Sequence, residues 1–196
     1  MSKKLILSVF LLFFAITVDL LSFSKGPGDK VDGFTITNYD GVSYNFSEAL
    51  AASEKGVIVI FWSTECPWVQ PYNDRINDYV KNYTDKGFTV WVINSNNTES
   101  KDVVIDHAKK NSYNFPMLKD ENNVVADLFG ATRTPEAFVV NKENVILYHG
   151  RISDNKSAGE QTVHDLNNAV EDVAAGKEVS VKETKSFGCG IKRIEK

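Results

Sequence analysis

Cysteine and histidine are both scarce in this 196-residue chain, which contains only Cys66, Cys189 and three histidines. The histidines fall on separate predicted elements, so no group of residues has the spacing of a metal site. The chain also lacks any block of like charge and has a net charge of -4, which argues against nucleic acid or an acidic membrane surface as the main partner. These absences predict a protein with no bound metal, no cofactor and no nucleic-acid partner.

A long membrane-spanning run is also missing. The apolar stretch from Leu5 to Val18 is shorter than the roughly 20 residues that span a bilayer as a helix. Two lysines precede it, and Ser22-Phe23-Ser24 supplies small residues of the kind that a signal peptidase reads. We therefore predict a cleaved signal peptide over residues 1–24 and a periplasmic or extracellular protein. The alternative is an uncleaved N-terminal anchor, which would be the protein's membrane contact.

The remaining sequence alternates between strand and helix patterns. Asp40-Gly41 between two alternating segments predicts an N-terminal hairpin. Strands are predicted over Val57–Phe61, Phe88–Asn94, Ala137–Val140 and Val145–Tyr148, and helices over Ser47–Ala52 (capped by Ser47), from Cys66 to about Tyr83, and over Ser100–Lys110, Asn123–Phe129 and Thr162–Ala175. This order predicts a single α/β domain over residues 25–176, with a central mixed sheet and helices on both faces. Residues 177–196 form a polar C-terminal tail, a loose end unless another element holds it.

Cys66 follows a buried apolar run and precedes Pro67, a residue favoured in the first turn of a helix. This arrangement predicts that Cys66 is a helix N-cap, with the N–H groups of Trp68 and Val69 directed at its sulfur. A helix N-terminus favours the thiolate, which is the nucleophile in sulfur and peroxide chemistry. Pro71 lies within the predicted helix and should kink or delay it.

The order of elements and two motifs resemble the thioredoxin fold. Trp62-x-x-x-Cys66-Pro67 after a central strand is similar to the thioredoxin active-site turn, and Thr134-Pro135 before a strand is similar to its cis-proline loop. More specifically, the chain resembles the peroxiredoxin-like redoxins of the AhpC/TSA (alkyl hydroperoxide reductase and thiol-specific antioxidant) group. The matching segments are Cys66-Pro67-Trp68-Val69, Asn114 to Asp120, Phe129 to Glu136, Tyr148 to Ile152 and Gly188 to Lys192.

The resemblance implies a thiol-dependent oxidoreductase, and three departures qualify it. Thioredoxin-like reductases carry a second cysteine three residues after the first, where this chain has Val69. Peroxiredoxins carry a proline and a threonine before their reactive cysteine, where this chain has Val59 and Ser63, although the Ser63 hydroxyl could donate a hydrogen bond as threonine does. Copper-delivery relatives need a second cysteine at the position of Gln70, which disfavours a metal role.

Two interpretations of the cysteine pair follow. In the first, Cys66 attacks a peroxide or a disulfide, and Cys189, between two glycines, reaches in to resolve the intermediate. In the second, the pair is a permanent staple in a redox-silent binding module, because two cysteines in an oxidising compartment more often pair than not. Closing so long a loop stabilises a fold by about 4 to 5 kcal/mol in the chain-entropy model.

Five further residues are candidates for substrate binding. Ser63 and Trp68 flank Cys66, and Arg133 precedes the Thr134-Pro135 loop, where a substrate chain could dock beside the thiol. The Arg133 guanidinium could lower the pKa of Cys66 or hold an anion. The partners predicted from this set are an external thiol reductant, a disulfide-bearing protein or a peroxide.

Overall fold

The computed structural model describes residues 25–195. Its strands are β1 (Thr35–Thr37), β2 (Ser43–Asn45), β3 (Gly56–Trp62), β4 (Phe88–Asn94), β5 (Met117–Lys119), β6 (Arg133–Thr134), β7 (Glu136–Val140), β8 (Ile146–Gly150) and β9 (Cys189–Gly190). Its α-helices are α1 (Phe46–Ala52), α2 (Ile76–Asp85), α3 (Lys101–Lys110), α4 (Val124–Phe129) and α5 (Asp165–Ala174). The predicted mixed α/β architecture with an N-terminal hairpin is confirmed.

The central sheet has the strand order β5-β4-β3-β7-β8. β3 runs parallel to β4 and antiparallel to β7, so it lies in the middle of a mixed sheet. Every residue of β3 is buried, as its continuous apolar sequence predicts. Alternate side chains enter two separate cores: Ile58 and Ile60 pack on one face, and Val57 and Val59 on the other. Because β3 is packed on both faces, the turn that follows Trp62 has a fixed position at the edge of both cores.

The predicted helices exist, but some of their ends lie elsewhere. α1 is capped by Asn45, whose side chain accepts the Glu48 N–H, and not by Ser47. α2 begins only at Ile76, because Pro71 lies in a short 3-10 turn (Gln70–Tyr72) ahead of it. α5 begins at Asp165 and not at the predicted Thr162, so Val163 precedes the helix and is exposed.

The C-terminal tail is held against the domain. β9 pairs antiparallel with β6, which places Cys189 opposite Thr134. The Ile191 N–H also donates to the Thr132 carbonyl at 2.9 Å. These bonds pin the segment that composition alone predicts to be loose.

The predicted signal peptide, residues 1–24, lies outside the described residues. Within residues 25–195 there is no helix of the length and apolar character needed to cross a membrane.

Candidate active site

Cys66 lies in the turn that follows β3, and its side chain is buried, with 2% of its surface exposed. Its thiol donates to the Thr134 carbonyl at 3.2 Å. The prediction of a helix N-cap is wrong, since no α-helix begins before Ile76 and the Val69 N–H donates to the Cys66 carbonyl oxygen, at 2.9 Å, and not to the sulfur. Pro71 lies in the 3-10 turn that follows Cys66, and α2 begins only after it, at Ile76.

A buried carboxylate that the sequence did not single out organises this turn. Glu99, 1% exposed, accepts the Ser63 hydroxyl at 2.5 Å and both the N–H and the hydroxyl of Thr64 at 2.7 Å. Asn94 and Asn96 donate their side-chain amides to the same carboxylate at 2.6 Å each. Burial raises the pKa of Glu99, but these hydrogen bonds outweigh it and leave that pKa below the usual value. The folded protein therefore holds Glu99 as an anion.

Ser63 connects Glu99 to the backbone of Cys66 by hydrogen bonds. While its hydroxyl donates to Glu99, the same oxygen accepts the N–H groups of Glu65 and Cys66 at 3.2 and 3.1 Å. The hydroxyl is buried and fully engaged in this arrangement. Ser63 therefore shapes the turn through the backbone, and its proton is directed away from the thiol.

The Thr134-Pro135 peptide bond is cis, and it faces Cys66 through the Thr134 carbonyl. A second buried glutamate, Glu136, holds this loop by accepting the Thr132 and Arg133 N–H groups at 2.7 and 3.0 Å. His149 Nε2 lies 2.8 Å from the other Glu136 oxygen. Burial raises the pKa of Glu136, and the hydrogen bonds from His149 and the loop lower it below the usual value.

Cys189 meets Cys66 across this loop. The Cys66 side chain raises the pKa of Cys189 and the Trp68 backbone N–H lowers it, so both groups lie beside the Cys189 thiol. Burial, followed by the Cys66 side chain, raises the pKa of Cys189 to about 11. The Trp68 N–H of the turn therefore favours the thiolate of Cys189, although Cys189 is distant along the chain. Both thiols are free.

Gly188 permits the close approach of the tail to the loop. Its φ is +150°, and a Cβ at this position would collide with the Thr134 carbonyl oxygen. Gly190, on the other side of Cys189, has no such restriction, because a Cβ there would meet only the Thr132 carbonyl, at 4.0 Å. Of the two glycines that flank Cys189, only Gly188 is therefore required for the close approach of the tail to the loop.

The remaining candidate residues lie around the two thiols. Trp68 is 38% exposed, and its ring centroid lies 5.1 Å from that of Phe187 in the tail. The Lys156 ammonium is 4.9 Å from the Trp68 ring centroid. Arg133 is exposed and donates to the Gly188 carbonyl at 3.2 Å, so its guanidinium holds the tail. All seven residues singled out from the sequence thus converge on one site, whereas Glu99, Glu136 and His149 are additional.

Nothing in residues 25–195 offers three or more His, Cys, Asp or Glu side chains in an arrangement that could hold a metal ion.

Comparison with known protein families gives a match to the model of the AhpC/TSA family over residues 27–149. The chain belongs to the AhpC/TSA family. This assignment confirms the resemblance to redoxins of that group. The matched region contains Cys66 and the Thr134-Pro135 loop but ends before Cys189.

Curated relatives of this chain include the thiol-disulfide oxidoreductase ResA of Bacillus subtilis, which is 26% identical over 125 residues. That alignment covers 63% of this chain and 66% of ResA, so the chain spans about two thirds of the relative's length.

Two solved structures cover more of the chain. A hypothetical protein of Sinorhizobium meliloti is 30% identical with a TM-score of 0.79, over 89% of this chain and 98% of that one. An uncharacterized conserved protein of Geobacillus kaustophilus is 25% identical with a TM-score of 0.78, over 87% and 93% of the two chains. These two structures share the fold of nearly all of the described residues.

Proposed function

We propose that this protein is a thiol-disulfide oxidoreductase in which Cys66 attacks a disulfide and Cys189 resolves the intermediate. The contact between the two side chains, made by the pairing of β9 with β6, is the observation that carries the proposal. The curated relatives named as thiol-disulfide oxidoreductases support the same enzyme class. The resolving thiol comes from the C-terminal strand because Val69 stands where a motif cysteine would be.

The reaction transfers two electrons from the cysteine pair to the substrate. The Cys66 thiolate attacks one sulfur of the substrate disulfide, forms a mixed disulfide and releases the other substrate sulfur as a thiolate that takes up a proton. Cys189 then loses its proton and attacks the Cys66 sulfur, which releases the second substrate thiolate and leaves a Cys66-Cys189 disulfide. An external dithiol reductant returns the pair to two thiols.

The raised pKa of Cys189 supports this order of steps. A thiol with a pKa of about 11 stays protonated near neutral pH, so Cys189 is a poor first nucleophile. Part of the rise comes from the Cys66 side chain, and that part disappears once Cys66 is bound in a mixed disulfide. Cys189 therefore becomes easier to deprotonate at the step in which it must attack.

Access to Cys66 requires the tail to move. With Cys66 2% exposed, a substrate reaches the sulfur only when β9 leaves β6. Departure of β9 frees the backbone groups of Arg133 and Thr134, which a disulfide-bearing protein could then pair with in an extended conformation. Trp68 and Phe187 would border the incoming chain.

Peroxide as the substrate has less support in the geometry. The Ser63 hydroxyl, which stands in place of the peroxiredoxin threonine, donates to Glu99, and the Arg133 guanidinium, expected to act on Cys66 or on an anion, donates to the Gly188 carbonyl. We therefore favour the disulfide over the peroxide as the oxidant.

The test compares matched cysteine variants in the reduction of a protein disulfide and of hydrogen peroxide. We expect Cys66→Ser to abolish disulfide reduction, and Cys189→Ser to accumulate a mixed disulfide on Cys66 that is visible by mass under non-reducing conditions. Loss of peroxide consumption in Cys66→Ser, with no change in disulfide reduction, would instead assign a peroxidase. No effect of Cys66→Ser in either assay would refute both activities.

The burial of Cys66 favours a second candidate, a redox-silent binding module stapled by a Cys66-Cys189 disulfide. This module would use the surface around Trp68 and Pro135 to hold a partner. It requires the disulfide to survive a physiological dithiol reductant and Cys66 to resist alkylation afterwards. Rapid labelling of Cys66 after mild reduction would contradict it.

We also propose that the protein acts outside the cytoplasm, in the periplasm or beyond, after removal of residues 1–24. The lysines and apolar run of the N-terminal sequence support export. The mass of the mature protein from the exported fraction tests this proposal, and an intact N-terminus in the membrane fraction would overturn it.

A further inference from the structure

The Glu99 carboxylate is connected by hydrogen bonds to the segments of both cysteines. It lies between β4 and α3 and is 1% exposed. On the side of the turn, Glu99 Oε1 accepts the Ser63 hydroxyl at 2.5 Å, and Ser63 Oγ accepts the Cys66 N–H at 3.1 Å. A single hydroxyl therefore separates the carboxylate from the backbone of the attacking cysteine.

On the side of the tail, the connection runs through Asn96. Its side-chain N–H donates to Glu99 Oε1 at 2.6 Å, and its Oδ1 accepts the Lys192 N–H at 2.7 Å. The Lys192 carbonyl in turn accepts the Asn97 N–H at 2.8 Å. Because Lys192 lies two residues beyond the end of β9, these bonds hold the chain just after the strand that carries the resolving cysteine.

We propose that Glu99 is a positioning residue that sets the placement of Cys189 relative to Cys66 and thereby favours the bond between them. The inference rests on the proposed function and names a residue for its resolving step. Glu99 does not touch the reacting sulfurs in this role. It acts through Ser63 on one side and through Asn96 on the other.

The arrangement requires an ionised carboxylate. Five donors converge on the two oxygens, and an ionised carboxylate accepts hydrogen bonds at both while donating none. A glutamine of the same shape would present an NH₂ group to two or three of these donors. Either the turn or the Asn96 link would then lose its hydrogen bond.

The thiol-disulfide equilibrium of the protein with glutathione measures how well Cys189 is placed relative to Cys66. Oxidised glutathione converts the Cys66 and Cys189 thiols to a disulfide and leaves as two reduced glutathione molecules, so atoms and electrons balance. The equilibrium ratio gives the effective concentration of one cysteine toward the other. This quantity depends on the geometry of the pair and requires no catalytic activity.

We expect Glu99→Gln to lower the effective concentration at least about tenfold, because misplaced reacting groups and lost hydrogen bonds to a charged residue have effects of that order. The matched control is Asp120→Asn. Asp120 is also buried and accepts three hydrogen bonds, from Ser95, Val125 and Ala126, none of which lies in a cysteine-bearing segment. An unchanged effective concentration in Glu99→Gln, or an equal loss in Asp120→Asn, would overturn the proposal.

Asn96→Ala keeps the inference testable if Glu99→Gln does not fold. It removes the side-chain bonds that connect Glu99 to the Lys192 N–H, and it leaves the bonds from Glu99 to Ser63 and Thr64 and the Asn97 N–H bond to the Lys192 carbonyl. We expect a fall in effective concentration in this variant too, and no fall would contradict the proposal. If the wild type catalyses no disulfide exchange while the variants still lower the effective concentration, the proposed function fails and the positioning role of Glu99 stands.

Discussion

The two cysteine-bearing segments of this protein are held in different ways. Cys66 continues from β3, a fully buried seven-residue strand, into a turn that the Glu99 carboxylate fixes through side-chain hydrogen bonds. Cys189 lies on β9, a two-residue strand at the surface whose Gly190 is exposed. The first segment is part of the core, whereas the second is a short surface strand held by backbone bonds to β6 and by side-chain bonds to Arg133 and Asn96.

This difference suits the two roles proposed for the thiols. A nucleophile benefits from a rigid position, since small displacements of reacting atoms slow a reaction strongly. A resolving thiol must leave to admit a substrate and then return, and segments with few buried contacts open at low cost. The central sheet therefore fixes the position of the Cys66 thiol, whereas the position of the Cys189 thiol depends on a strand that can detach.

The largest effect is expected from breaking the attachment of the tail. Gly188→Ala introduces a Cβ that collides with the Thr134 carbonyl and strains a backbone at φ +150°, a strain of about 1–3 kcal/mol before the collision is counted. In a Cys189→Ser background, where Cys66 is the remaining thiol, we expect Cys66 to be alkylated at least about tenfold faster.

Gly190→Ala in the same background is the matched control, because a Cβ there has room. We expect its rate of Cys66 alkylation to stay within about twofold of that of the parent, as for most surface substitutions. Equal acceleration by both substitutions would show that any change beside position 189 detaches the strand.

An intermediate effect is expected from weakening the rigid segment. Glu99→Gln should lower the free energy of unfolding at pH 7 by about 1–3 kcal/mol, because it leaves buried donors without an acceptor. Since the pKa of Glu99 is lowered in the folded protein, its stabilisation is fully present above the ordinary value of 4.5 and is lost as the pH falls through the lowered one. The difference in the free energy of unfolding between wild type and Glu99→Gln should therefore become smaller as the pH falls.

Urea unfolding between pH 7 and pH 3 measures this gap. The control is Glu143→Gln at an exposed turn, which should change the free energy of unfolding by less than about 0.5 kcal/mol throughout. A gap of constant size would mean that folding does not lower the pKa of Glu99.

The smallest effect is expected at the rim where the two segments meet. Lys156→Ala removes an ammonium 4.9 Å from the Trp68 ring centroid, an exposed contact worth about 0.5–1 kcal/mol. We expect the alkylation rate of Cys66 to change by no more than about fivefold, and Lys142→Ala, at an exposed position elsewhere, to leave it unchanged. A larger change would assign Lys156 to the binding of the tail or of the alkylating reagent.

Local patterns predicted the elements of the fold well. β4 has the predicted bounds of Phe88–Asn94, and β3 extends the predicted Val57–Phe61 by one residue at each end. Long apolar runs of this kind are easy to predict as strands, because a strand buried on both faces of a sheet needs apolar residues at every position. In contrast, β5, β6 and β9 were not predicted, since strands of two or three residues form only when a partner strand is already in place.

The candidate site was predicted in part. Cys66, Cys189 and the Thr134-Pro135 loop are recognisable from motifs, but Glu99 lies in an Asn-rich loop that has the composition of any solvated turn. Its partners Ser63 and Thr64 are far from it along the chain, so no local pattern reveals the contact. The expected N-cap at Cys66 was wrong because α2 starts only at Ile76 and the Val69 N–H donates to the Cys66 carbonyl oxygen instead of the sulfur, which only the folded geometry decides.

The sequence by itself determined the family, the alternation of strands and helices, and the fact that any second thiol for Cys66 within the chain must be Cys189. Only the tertiary structure decided that these two thiols meet, that the tail is a strand on β6, and that a buried carboxylate holds both segments. The physical reason is that periodicity and motifs are local along the chain. A hydrogen bond between distant segments depends instead on where the packed core brings their backbones together.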